Sequence, residues 1–249
     1  MKNRFPFITS AFIGITMFLQ IYPTEEATVI NTYNEYEMSE SSPIVNLEIR
    51  QESDFFDWGS QVRYSINVND ETDGDSRYNE INSNEVFLEI DFVPEPVNSH
   101  DIQSVYERIN GGKNLTGLIL LGRSSCFGCH ADKSNKIGPS FSEIAGSYTN
   151  NTANINKLVN SIQHGSAGVW GQAEMPANPD ISQEEASDIA GYILKQGAQE
   201  YSRISPGLEG VIRIMDKPPD IDEGTYILTA SYTSSAQKRG EDTVVLKIK

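Results

Sequence analysis

Three stretches in the first half of the chain alternate apolar and polar residues: IVNLEIR (44–50), QVRYSINVN (61–69) and EVFLEIDFV (85–93). A period of two is that of a strand with one face buried, so each is expected to be half-buried. Turn-forming residues separate them, Asp57-Trp58-Gly59-Ser60 and then Asn69 through Asp75. The period changes over 101–200. GLILLG (117–122) leads into a cysteine, and Ile155, Leu158 and Ile162 fall on one helical face of 151–162. The best-signalled helix runs from Ile181 to Gln196. Ser182 and Glu185 supply its capping box, Ile189, Tyr192 and Ile193 its apolar stripe, and Gly197 its stop. Strand patterning then returns in GVIRI (210–214), GTYILTASY (224–232) and TVVLKIK (243–249).

Neither β segment, 43–97 or 205–249, is large enough to bury a stable core alone. Together they match the size of one immunoglobulin-like sandwich, roughly 100 residues. The pattern therefore predicts a multidomain chain, with an all-α domain (101–200) inserted in one all-β sandwich; two separate β modules flanking the helices are the alternative. Ahead of them, Lys2 and Arg4 precede an uncharged run from Phe5 to Pro23. Residues 1–23 thus read as a signal peptide or an uncleaved signal anchor. Residues 24–42, acidic and without a period, read as a linker.

Charge narrows the partners. In 249 residues, Lys+Arg number 19 against Asp+Glu 35, a formal −16. This excludes a basic nucleic-acid binder, and 38% apolar content excludes a multi-pass membrane protein. Segment 43–97 holds 13 acidic and 3 basic residues, so most of the excess belongs to the β part. Such a surface favours a partner with a basic docking face, and contact with a membrane is expected only through a retained N-terminal anchor.

Only two cysteines occur, in Cys126-Phe127-Gly128-Cys129-His130. C-x-x-C-H is the attachment motif of c-type haem. Each thiol adds to one vinyl group, two intervening residues of a turn bring both sulfurs to one edge of the ring, and the next side chain offers an imidazole to the iron. Zinc would want a second ligand pair, and a thioredoxin-like disulfide a βαβ context; the chain offers neither. For a sixth iron ligand the candidates are His100, His164 and the five methionines. Met175 stands out in a Pro-rich loop before the last helix, where a thioether can reach the haem. His164, beside Gly165, reads as a helix-terminal or surface residue.

Residues 115–197 resemble the short bacterial class I cytochromes c. The matching stretches are CFGCH, KIGPSF (136–141), GSAGVWGQAEMPANP (165–179) and SQEEASDIAGYIL (182–194), in the family's order. The resemblance implies one covalent haem c with His130 and Met175 as axial ligands. It implies that the Pro139 carbonyl accepts the ring N–H of His130 and that the Trp170 indole N–H meets a haem propionate. The order of modules also resembles the tail of secreted quinoprotein-type sugar dehydrogenase proteins, where a PKD/immunoglobulin-like module accompanies a cytochrome. VRYSINVNDETDG (62–74) and GTYILTASYTSSA (224–236) carry that likeness, and the large propeller of such proteins is missing. The expectation is a periplasmic or secreted electron carrier, not an enzyme, working between a periplasmic dehydrogenase and an oxidase or reductase. A haem enzyme or gas or peroxide sensor with a displaceable sixth ligand is the alternative.

Two further clusters have plain readings beside sharp ones. Asp70, Glu71, Asp73 and Asp75 are either calcium ligands or, lacking the spacing of an EF-hand loop, a solvated turn on Asp73-Gly74. Phe55, Phe56 and Trp58 are either a carbohydrate platform or aromatic packing at a sheet corner.

Overall fold

The computed structural model describes residues 42–51, 53, 55–97, 101, 104–105, 107 and 115–249. The readings of 1–23 as an export segment, of nearly all of 24–42 as a linker and of His100 as a ligand lie outside these residues. Among the described residues no helix is long and apolar enough to cross a membrane.

Eight strands form two antiparallel sheets among the described residues. In the first, β2 (Gln61–Asp70) pairs with β1 (Ile44–Ile49), with the two-residue β3 (Gly74–Asp75) and with β6 (Glu209–Arg213). In the second the order is β5 (Ser202–Pro206), β4 (Val86–Val93), β7 (Gly224–Thr233), β8 (Arg239–Ile248). Strands from before the helical region thus pair with strands from after it in both sheets: Tyr64 lies opposite Gly210, and Ile90 opposite both Arg203 and Leu228.

The sheets face each other over one core. Leu47, Val62, Tyr64, Ile66, Val68 and Ile212 from the first meet Val86, Leu88, Ile90, Phe92, Tyr226, Leu228 and Leu246 from the second. Burying one such aliphatic side chain contributes about 1.5–3 kcal/mol. Exposed ion pairs such as Arg50–Glu209, at 3.6 Å, are worth about 0–1 kcal/mol. Apolar register, not surface charge, holds the sandwich.

β4 departs from the half-buried expectation, because all eight of its residues are buried. Its even positions face the sandwich core. On the other face Phe87 joins a second core built by the helices, and Val93 packs with Val97, Val105 and Ile227. Glu89 and Asp91, expected in water, are 4% and 3% exposed, and Arg239 meets Glu89 at 3.3 Å.

The helices are α1 (Leu115–Arg123), α2 (Phe141–Ser147), α3 (Thr152–His164) and α4 (Gln183–Gly197). The capping box of α4 is formed: Ser182 Oγ accepts the Glu185 N–H at 3.2 Å, and Glu185 Oε2 accepts the Ser182 N–H at 2.8 Å. Gly197 closes the helix for a reason other than the expected one. A Cβ there would sit 2.1 Å from the Phe141 carbonyl oxygen, so close approach of α2, not a left-handed stop, selects glycine. β5 was invisible to periodicity, being five residues long, ending in proline and following directly on the helix.

Three carboxylates of the acidic turn, those of Asp70, Asp73 and Asp75, are met by protein donors. Asp70 Oδ1 accepts the N–H groups of Thr72 and Asp73, each at 2.9 Å. Asp73 accepts from Tyr232 Oη at 2.8 Å and from both the N–H (2.7 Å) and the hydroxyl of Ser235. Asp70 and Asp75 are buried rather than solvated, and no described cluster of three or more ligating residues is placed to hold a metal. Among the aromatics, Phe56 is buried and Trp58 meets Phe92 edge-on at 5.7 Å, which is packing; only Phe55 is exposed, under Lys249 Nζ at 3.9 Å.

Two outcomes test this arrangement. Leu228→Ala is expected to lower unfolding stability by about 2–5 kcal/mol, read from denaturant melts. Asp75 is held down to about 2 by the Arg77 side chain and backbone N–H. A depressed carboxylate stabilises above its ordinary value of about 3.9 and loses that contribution as pH falls toward the depressed one. Asp75→Asn should therefore lower Tm at pH 7, and the gap from the parent should close between pH 4 and pH 2.

Candidate functional site

The two cysteines sit on a tight turn where α1 ends. Ser125, at φ 58°, starts a 3₁₀ turn over Cys126–Gly128, and the N–H groups of Cys129 and His130 both reach the Cys126 carbonyl, at 3.2 and 3.0 Å. One turn therefore separates the sulfurs and carries the imidazole next in line. The loop beyond is tied back: the Gly138 N–H donates to the Cys129 carbonyl at 2.9 Å, and Lys136 Nζ donates to the Phe127 carbonyl at 2.7 Å.

His130 Nδ1 lies 2.7 Å from the Pro139 carbonyl oxygen. A carbonyl only accepts, so the ring proton sits on Nδ1 and the lone pair on Nε2. Gly138 permits this closeness, since a Cβ there would come within 2.6 Å of the His130 ring. Phe141 stacks on the same ring with centroids 6.3 Å apart. Gly138 carried no period or charge signal; its place before Pro139 was the only hint.

Met175 stands on the loop between α3 and α4. Its backbone forms a two-way bridge with Ser166, N–H to carbonyl at 2.8 and 3.0 Å. Asn178 fastens the same loop to the end of α3, both its N–H (3.0 Å) and its side-chain amide (3.1 Å) donating to the Ile162 carbonyl. The prolines alone would not have revealed these two anchors.

Cys126, Cys129, His130, Pro139, Trp170 and Met175 line one cleft of about 1030 Å³ including its open mouth. The rest of the wall is mostly apolar, with Leu121, Phe141, Ile144, Leu158, Ile162, Ile189 and Ile193, and Ile137 and Val169 exposed at the rim. Trp170 meets Tyr148 edge-on at 6.3 Å. Burial pushes the Cys126 thiol up to about 11, and Cys129 adds to the effect, so it stands neutral at pH 7. An apolar slot offering two thiols, one imidazole lone pair and one thioether suits a large, flat, apolar metal macrocycle. His164 is exposed, with Nδ1 3.2 Å from the Asn160 carbonyl, and does not line the cleft. Met215, the other described methionine, packs against the sandwich core.

Residues 119–197 match the family model described as Cytochrome c. Cytochrome c-551 of Azotobacter vinelandii is 38% identical over 79 residues, 32% of this chain and 95% of that protein. Cytochrome c-552 of Nitrosomonas europaea is 35% identical over 75 residues, 30% of this chain and 73% of that protein. The solved structure of wild-type Nitrosomonas europaea cytochrome c552 aligns with a TM-score of 0.30 at 34% identity, over 31% of this chain and 95% of that one. Through its helical region, the chain belongs to the cytochrome c family: it is an electron-transfer c-type cytochrome of the kind that binds one covalent haem c.

Proposed function

We propose that the chain carries single electrons between redox proteins through a haem attached at Cys126 and Cys129, with His130 and Met175 as the axial ligands. The observation that carries this reading is that all four residues line one apolar cleft, with the His130 ring proton already committed to Pro139. A haem c held by these residues would supply reversible one-electron exchange at its iron. The chain's residues do the rest. The Pro139 carbonyl holds the imidazole in one tautomer and orientation. Ser166 and Asn178 keep the Met175 backbone from drifting as charge changes. The aliphatic wall excludes water, and the Trp170 indole N–H is assigned to a haem propionate.

We assign the donor to a periplasmic dehydrogenase, of quinoprotein sugar or alcohol type, and the acceptor to an oxidase or reductase. The resemblance of the flanking strands to a PKD/immunoglobulin-like module and the charge of −16 support this assignment. The uncharged run from Phe5 to Pro23 supports a periplasmic or secreted location, with the chain either released or anchored there. We divide the rest of the chain into a β-sandwich from 43–97 and 205–249 and a haem domain at 101–200. The cross-pairing of β2 with β6, and of β4 with β5 and β7, favours one split sandwich over two modules.

Two experiments bear on these assignments. In reduced Met175→Ala protein at neutral pH, carbon monoxide should bind, which the parent resists, and the reduction potential should fall. An unchanged spectrum and potential would move the sixth ligand elsewhere, and carbon monoxide binding by the parent would favour a gas-reactive haem. Expressed alone, 101–200 should fold and hold haem, while 43–97 should not, because β4 then lacks β5 and β7; a cooperatively melting 43–97 fragment would refute the split sandwich.

A further inference from the structure

The 79 residues shared with the Azotobacter cytochrome span 95% of that protein, so it has no counterpart of the sheets that flank the haem domain here. In this chain the outer face of the β5-β4-β7-β8 sheet closes over the back of the attachment turn. Phe87, on β4, is 2% exposed and meets Phe127, the residue after Cys126, with ring centroids 5.9 Å apart. Phe127 in turn packs on Phe141 at 5.7 Å, and Phe141 stacks on His130. Both ends of the turn are clipped to the same sandwich. On the leading side a Cβ at Gly122 would lie 2.7 Å from Phe87 Cζ and from the Asn84 carbonyl oxygen, so α1 is seated flush. Next to it Arg123 reaches Glu85 at 3.2 Å and the Ser234 carbonyl at 3.2 Å. On the trailing side Asp132 Oδ2 accepts the Ile204 N–H of β5 at 2.8 Å.

We propose that Phe87 is a positioning residue for electron transfer: through Phe127 it fixes the attachment turn and keeps water from its back, so that the sandwich sets part of the haem's reduction potential. The physical link is dielectric and geometric. Oxidation adds a positive charge, and a dry, tightly packed surround disfavours that charge and so favours the reduced state. The proposal rests on the assignment of Cys126, Cys129 and His130 above.

The test uses the full-length holoprotein. Phe87→Ala is expected to lower the reduction potential and alter the visible and near-ultraviolet signature of the haem, and Phe87→Leu to restore most of both. Leu88→Ala is the control: Leu88 is fully buried on the same strand but faces the sandwich core, so it should cost several degrees of Tm and leave the potential in place. A parental potential in folded Phe87→Ala, or an equal shift in Leu88→Ala, overturns the proposal. If Phe87→Ala does not fold, Phe87→Val and Phe127→Leu are compared singly and together. Non-additive shifts in potential support the coupling and additive ones overturn it. Loss of the pigment from denatured parental protein into acidified organic solvent would instead sink the haem-site assignment, which keeps the two failures apart.

Discussion

Strand β4 is buried on both faces, and the architecture follows from that constraint. One face carries Val86, Leu88, Ile90 and Phe92 into the sandwich; the other gives Phe87 to the helical core and Val93 to a smaller cluster with Val97, Val105 and Ile227. A strand in this position needs partners on both edges, and it finds them in β5 and β7, beyond the helical region. The chain must therefore leave the sheet after β4, build the helices, and return. The helical region is held over the sheet because the residues that finish its core, Phe87 and Ile204, are the sheet's own.

The covered sheet face also explains how acidic residues can be buried. Glu89 on β4 lies opposite Thr229 on β7, beneath α4 and Tyr192. Burial raises the Tyr192 hydroxyl well above its ordinary value, and Glu89, Asp132 and Asp91 push the same way. Arg239 answers Glu89 directly, and Asp132, raised by burial, is met by the Ile204 N–H and by Lys133. Several of the carboxylates counted in the formal charge of −16 therefore lie inside the molecule rather than on its surface.

Much of this was legible in the residues, and the rest was hidden for physical reasons. Strand patterning located β1, β2, β4, β6, β7 and β8 to within a few residues. It misjudged β4, because Glu89 and Asp91 read as solvated when another domain covers them. Gly197 read as a helix stop because the sequence does not reveal that the Phe141 carbonyl lies against it. That Cys126, Cys129, His130 and Met175 share one cleft was foreshadowed in the sequence, because C-x-x-C-H has a fixed spacing and the methionine stands in a Pro-rich loop. Gly138, Asn178 and above all Phe87 were not, since what each touches comes from elsewhere in the fold. Phe87 looks like any outward position on a strand until the helices are laid on it.

The discontinuous sandwich imposes a sequence of events on the growing polypeptide. Cys126, Cys129 and His130 leave the ribosome before β5, β7 and β8 exist. β4 cannot acquire either neighbour until those strands arrive, so the back of the Cys126–Gly128 turn stands open while the chain is being made. It is roofed over only when the last fifth of the protein folds home.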